Sequence, residues 1–161
     1  MVIIGEVDRK GIDMEIDVKI KLTRGAKAPE YATPSSAAVD LRAALEGESV
    51  VIAPGERALI PTGIAISPQR SDVVAVIAAR SGLASKKGIN LANGIGVIDA
   101  DYRGEISVAL YNCSDIPFEV NDGDRIAQMM FLPVIRADFE VADELDKTER
   151  GEGGFGSTGV K

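Results

Sequence analysis

Phe118-Glu119-Val120-Asn121-Asp122-Gly123-Asp124-Arg125-Ile126-Ala127-Gln128-Met129-Met130-Phe131-Leu132-Pro133-Val134 reads as strand, turn and strand. An apolar run meets a cluster of Asn, Asp and Gly, residues that make turns because they tolerate left-handed backbone and bond their own main chain. A second apolar run follows. The same grammar extends in both directions. Asp17–Leu22 alternates, with Val18, Ile20 and Leu22 on one side, and further runs cover Val50–Ala53, Arg57–Pro61, Gly63–Ser67, Asp72–Ala79 and Glu105–Asn112. Pro54-Gly55, Pro68-Gln69 and Ser114-Asp115 punctuate them. Many short strands between turn clusters predict an all-β sandwich or barrel. One short helix is expected around Leu83–Lys87, ended by Gly88, and Val141–Leu145 could add a turn.

A chain of 161 residues is one domain by size, and 45% hydrophobic with 27% charged residues is the composition of a globular protein. The segment 1–15 reads as an N-terminal extension whose Ile/Val alternation could add an edge strand. Residues 16–145 read as the β domain, and 146–161 as a Gly-rich C-terminal arm. No apolar run approaches the roughly 18 residues that a membrane span needs, and Met1-Val2-Ile3-Ile4 is too short for a signal peptide. Cys113 is the single cysteine, so no internal disulfide can form, which fits a cytoplasmic location. Asn112-Cys113-Ser114 matches a glycosylation sequon by chance.

The net charge of −7 disfavours non-specific binding to nucleic acid, which rests on phosphate neutralisation. The absence of histidine removes Ser-His-Asp and Cys-His catalysis and any His-ligated zinc site. A general base must then be a carboxylate, a lysine or a tyrosine.

Five clusters carry chemistry, each with an ordinary alternative. Arg150-Gly151-Glu152-Gly153-Gly154-Phe155-Gly156-Ser157-Thr158 combines bare backbone, a guanidinium and two hydroxyls, the composition of a phosphate cradle. It also fits a disordered terminus. Its spacing mimics G-x-G-x-x-G and nearly a P-loop, but acidic residues precede it where a buried strand belongs. Asp99-Ala100-Asp101-Tyr102-Arg103-Gly104 is either a hairpin turn with solvated carboxylates or a site, and Asp99 at the end of a buried strand Ile95–Ile98 favours the site. Arg80-Ser81-Gly82 at a strand-to-helix junction is a cap or a phosphate ligand. Gln128 is the outward residue of an alternating strand, or polar for a reason. Asp40 is a strand-end charge, or a functional acid.

The order and spacing of these clusters resemble the five motifs of trimeric dUTPases. The matching residues are Ala38-x-Asp40-Leu41, Arg80-Ser81-Gly82-Leu83-Ala84, Gly96-Val97-Ile98-Asp99-Ala100-Asp101-Tyr102-Arg103-Gly104, Gly123-Asp124-Arg125-Ile126-Ala127-Gln128 and Arg150–Gly159. Pro61-Thr62-Gly63 also sits where that family places it, whereas Ala38 stands where the family usually has glycine. The resemblance covers roughly Val18 to Gly159. It implies a jelly-roll-like β fold, a homotrimer with shared sites, and Mg²⁺-assisted hydrolysis of dUTP to dUMP and pyrophosphate. Asp99 would be the base for water attacking the α-phosphorus, with Gln128 helping to place that water. Arg80, Ser81, Gly82, Gln128, Arg150, Ser157 and Thr158 would hold phosphates. Asn93, Val97 and Ile98, in a hairpin that reads uracil, would join Tyr102, Phe155 and Gly156 around the nucleoside. Tyr102 would leave no room for a 2′-hydroxyl, and Asp40 would reach the metal only through water. Related dCTP deaminases share that fold but typically carry glutamate where Asp99 stands. A non-catalytic binding module would need no such set of groups.

Overall fold

The computed structural model describes residues 15–154. Ten strands and one short helix build it. They are β1 (Val18–Leu22), β2 (Val39–Arg42), β3 (Ser49–Ile52), β4 (Arg57–Pro68), β5 (Val73–Ala78), α1 (Ser81–Lys87), β6 (Ile89–Leu91), β7 (Gly96–Ile98), β8 (Ile106–Asn112), β9 (Phe118–Asn121) and β10 (Arg125–Pro133). One sheet has the order β1-β4-β8-β6 and a second β2-β10-β5-β7, and β3 pairs with β9 alone. Every pairing is antiparallel. The expected all-β sandwich with one short helix is what forms.

The inner faces of the sheets meet in one core. Leu41, Ile60, Ile106, Leu110, Val120 and Ile126 are each at most 2% exposed. Burying a side chain of this size contributes about 1.5–3 kcal/mol, so each is a sizeable share of the sandwich's stability. β5 alternates strictly between buried Val73, Ala75 and Ile77 and half-buried Val74, Val76 and Ala78. Both of its faces are apolar, and the second is half-buried.

Two strands break the two-residue period, and each break is a bulge. In β10 Ile126 and Ala127 are both buried, where the register with β2 shifts between Arg125 and Ala127. In β4 Thr62, Gly63 and Ile64 are buried in succession, where the register with β8 shifts between Pro61 and Ile64. The sequence reads this region as two runs, but the structure makes one bulged strand. Pro61 has no N–H to give a ladder, and Gly63 takes φ +67, a conformation that needs glycine. Thr62 is 1% exposed, and its hydroxyl donates to the Ile106 carbonyl at 2.6 Å.

The helix begins at the extended Arg80 and ends where Gly88 enters the left-handed region at φ 66. It buries no residue and serves as a connector. Asn112, the chance sequon, is wholly buried; its amide donates to the carbonyls of Ile52 and Ile116. Past β10 the chain has no regular element through residue 154, and Val141–Leu145 forms no helical turn. The proposed edge strand of the N-terminal extension lies outside the described residues, apart from Glu15.

Candidate active site

Three of the sequence-predicted residues come together on the outer part of the β2-β10-β5-β7 sheet. β10 lies between β2 and β5, so Gln128 faces Asp40 across one side and Ala78 across the other. Cross-strand partners share a face. Arg80 lies just past Ala78, and its Nε donates to Asp40 Oδ1 at 2.8 Å. Arg125 Nη1 donates to the other oxygen, Asp40 Oδ2, at 3.2 Å. Asp40 is therefore more than a strand-end charge: it orients two guanidiniums. Arg80 and Asp40 side chains are only 25% and 27% exposed, which strengthens their attraction relative to a surface pair. Arg80 Nη1 also reaches the Arg125 carbonyl at 3.4 Å. Gln128 is half-buried and donates to the Ala79 carbonyl at 2.9 Å, which fixes its amide beside Arg80. Ser81 and Gly82 open α1 and are exposed. The result is a positively charged shelf with a rigid carboxamide, suited to phosphate oxygens. Arg125 is the residue that sequence reasoning missed; its place in the motif with Gln128 was the available signal.

Asp99 is elsewhere. β7 pairs with β5 in the register Ala75↔Ile98, Val76↔Val97 and Ile77↔Gly96. Asp99 therefore follows β7 near the Val74 end of β5, whereas Arg80 leaves the opposite end. At about 3.3 Å of rise per residue the two are roughly 20 Å apart within one chain. The expectation of a buried strand before Asp99 is wrong. β7 is a sheet edge, with Val97 58% and the preceding Ile95 54% exposed. The segment through Asn93 is likewise no paired hairpin. Its turn, with Gly94 at φ +73, carries the chain from β6 in one sheet to β7 in the other. Asn93 is exposed on that turn.

Asp99 and Tyr102 border a cleft of about 340 Å³ with Leu59, Val97, Ile98, Glu105 and Ile106. The Tyr102 amide donates to the Asp99 carbonyl at 3.1 Å, closing a turn, and the Tyr102 hydroxyl donates to the Glu105 carbonyl at 3.2 Å. Arg103 Nη1 donates to the carbonyls of Ala100 and Tyr102 at 2.8 and 2.9 Å, which stiffens the loop. A larger open cleft of about 1140 Å³ lies on the other side of Asp99, bordered by Arg70, Arg103, Arg136 and Asp101. Arg70 grips Asp72 through two contacts of 2.6 Å, and this hydrogen bonding lowers the Asp72 carboxyl from 3.8 to about 2.

Arg150 touches neither group. Its Nε donates to the Gly153 carbonyl at 2.8 Å within its own turn. Phe155, Gly156, Ser157 and Thr158 lie outside the described residues. Among the described residues no three His, Cys, Asp or Glu side chains converge as metal ligands, and both Asp40 oxygens already accept from arginines. That donor set fits a cation held by phosphate oxygens and water, with Asp40 behind the water. No helix of the described residues is long and apolar enough to cross a membrane.

Comparison with known proteins finds relatives over most of the chain. The dUTPase family model matches residues 24–159. A deoxyuridine 5′-triphosphate nucleotidohydrolase of Desulfitobacterium hafniense is 59% identical over 148 residues, 90% of this chain and 97% of that protein. One from Shewanella baltica is 53% identical over 133 residues, 83% of this chain and 87% of that protein. Among solved structures, the Staphylococcus bacteriophage 80alpha dUTPase with dUpNHpp superimposes with a TM-score of 0.80 at 28% identity, covering 89% of this chain and 99% of that one. A variant dUTPase from phage phi11 of S. aureus, described with a structural Mg(II) ion, shares the fold at a TM-score of 0.72 and 24% identity. It covers 81% of this chain and 99% of that one.

Proposed function

The chain belongs to the dUTPase family, and on that premise we propose that it hydrolyses dUTP to dUMP and pyrophosphate in a site assembled between subunits of a homotrimer. The observation that carries this is the separation of roughly 20 Å between Asp99 and the Arg80 shelf. Water activated at Asp99 must attack a phosphorus whose oxygens the shelf holds, and reacting atoms must approach to about 3–3.5 Å. One chain cannot serve both ends. A second subunit that presents its shelf to the Asp99 cleft of the first removes the conflict. Leu59, 69% exposed at the border of that cleft, supports such a contact.

In this reading Asp99 takes the proton of water attacking the α-phosphorus in line, and Gln128 helps to place that water. A carboxylate does this work in a chain without histidine. Arg80, Ser81 and Gly82 hold phosphate oxygens, and the Asp40–Arg80–Arg125 network fixes the guanidinium before substrate arrives, so no reorganisation is needed during reaction. Asn93, Val97 and Ile98 border the uracil, and Tyr102 is the wall against the deoxyribose. Mg²⁺ bound to the triphosphate would neutralise its charge and orient the leaving pyrophosphate, with Asp40 beyond its waters. Arg150, Ser157 and Thr158 clamp the outer phosphates while Phe155 and Gly156 cover the base, the arm 146–161 acting as a lid that excludes water. In a cytoplasmic setting the reaction keeps uracil out of DNA and supplies dUMP for dTMP synthesis.

Complementation tests the shared site. Asp99→Asn and Arg80→Ala are each expected to release almost no pyrophosphate from dUTP. Unfolding and refolding them together makes mixed trimers in which some sites pair a native Asp99 with a native Arg80, and activity returns. Mixed trimers as inactive as both parents would exclude sharing between these two groups.

A further inference from the structure

The Pro61-Thr62-Gly63 bulge of β4 takes no part in the chemistry above, yet its polar groups are tied to the residues that follow Tyr102. The Gly63 amide donates to Glu105 Oε1 at 2.8 Å. The Thr62 hydroxyl donates to the carbonyl of the next residue, Ile106, at 2.6 Å. Arg24 Nε lies 3.2 Å from the same Glu105 carboxylate, and Arg24 Nη1 donates to Glu46 Oε2 at 3.0 Å. Arg24 and Glu46 both hold left-handed backbone, at φ 51 and 57. Non-glycine residues adopt that region only where their surroundings over-determine it. The Glu105 carboxylate is thus held by the Gly63 amide and by Arg24, the Ile106 carbonyl is held by Thr62, and the Glu105 carbonyl accepts the Tyr102 hydroxyl. Gly104 completes the seat: a Cβ there would fall on the Tyr102 ring.

We propose that Glu105 is a positioning residue for sugar discrimination, fastening the Tyr102 ring to the β4 bulge through its own carboxylate and carbonyl. The inference rests on Tyr102 as the wall against deoxyribose. Tyr102 is 44% exposed and borders an open cleft, so packing alone leaves its ring free to swing. A swinging ring yields to a 2′-hydroxyl, whereas a ring held at both its hydroxyl and its face does not, and the extra hydroxyl stays unpaired against it. Gly63 sets the direction of the amide that Glu105 accepts. A Cβ there would lie 2.5 Å from the Thr23 carbonyl, so this backbone has no slack.

The test is kcat and KM of the full-length protein for dUTP and for UTP. The ratio of the two kcat/KM values in Glu105→Ala is expected to fall about tenfold or more, as small misplacements of a positioning group do. The fall comes from a raised KM for dUTP and new turnover of UTP, with kcat for dUTP nearly kept. Glu105→Gln, whose amide oxygen still accepts from Gly63, recovers most of the ratio. Tyr102→Phe removes the same tether without touching the bulge and is expected to lower the ratio too. A ratio within about twofold of the parent in Tyr102→Phe, or in a folded Glu105→Ala, overturns the proposal, since a lost tether must be felt. A parent protein that hydrolyses UTP as well as dUTP overturns instead the reading of Tyr102 as the sugar wall.

Discussion

Asp40 Oδ1 accepts the Arg80 Nε–H at 2.8 Å, joining the first and second sequence motifs through one charge-assisted hydrogen bond. The same carboxylate holds Arg125, so it sits between two guanidiniums that would otherwise repel. Asp40→Asn keeps the shape and one acceptor but loses the charge. Hydrogen bonds to charged groups contribute about 1.5–3 kcal/mol, which corresponds to a loss of about 10- to 100-fold in kcat/KM for dUTP. Steady-state pyrophosphate release measures it, and circular dichroism melting should find the fold intact. An unchanged kcat/KM would mean that Arg80 needs no orienting partner.

Asp99→Asn is the test of the base. General-base catalysis contributes typically 10²- to 10⁴-fold, so kcat should drop by about that factor. Asp99 is exposed at the end of an edge strand and carries no core contact, so stability should hardly change. Calorimetric titration with dUpNHpp should show retained binding. Hydrolysis at the parent rate would remove Asp99 from the mechanism.

The strands and turns were legible because their signals are local. β5 shows its alternation in Val73–Ala78, and the helix end at Gly88 is a left-handed cap. The sequence-predicted β4 division failed because a bulge at Pro61–Gly63 looks like a break, whereas Ile60 and Ile64 rejoin the same core. Motif residues could be named from their order, but their partition could not. Only the antiparallel register of β7 on β5 sends Asp99 and Arg80 to opposite ends of one strand. The Glu105–Arg24 pair was invisible for the same reason: its members lie far apart in sequence and meet only across the folded β4 bulge.

Gly63→Ala should be among the costliest single-methyl changes in the chain. The residue holds φ +67, and the new Cβ would meet the Thr23 carbonyl at 2.5 Å and the Ala26 Cβ at 2.7 Å. Both neighbours lie on the segment that follows β1, and Thr23 is itself bonded to Gly63. Strain of this kind costs about 1–3 kcal/mol before the clash is counted. Urea melts should find a midpoint well below the parent's. Gly25, equally left-handed but with open space around its Cβ, is the control and should lose less.

Asp72 gives a pH prediction. Its bond to Arg70 lowers the carboxyl from 3.8 to about 2 in the folded chain. A depressed carboxyl adds to stability above the unfolded value, and the contribution fades as pH falls from about 3.8 through about 2. The pair should therefore hold across the neutral range and release only in strong acid. Carboxyl carbon chemical shifts followed by NMR should place the Asp72 midpoint well below that of a free aspartate. A midpoint at the ordinary value would mean that the pair does not persist in water, as for many exposed ion pairs.

The segment after β10 leaves Ile135 96%, Phe139 90% and Val141 99% exposed, an arrangement a lone chain has no reason to keep. If these side chains lie against a neighbouring subunit, two changes should separate assembly from closure. Truncation after Glu149 removes Arg150, Phe155, Ser157 and Thr158 but leaves the apolar residues in place. Sedimentation should find the proposed trimer intact, and dUTP hydrolysis should be nearly abolished. Phe139→Asp keeps residues 150–161 but puts a charge into that proposed contact, and a buried unpaired charge costs several kcal/mol. The trimer should then dissociate at concentrations where the parent is whole, and activity should fall with dilution. A Phe139→Asp protein that stays trimeric and fully active on dilution would mean that this segment does not dock. A truncated protein of full activity would mean that the arm closes nothing.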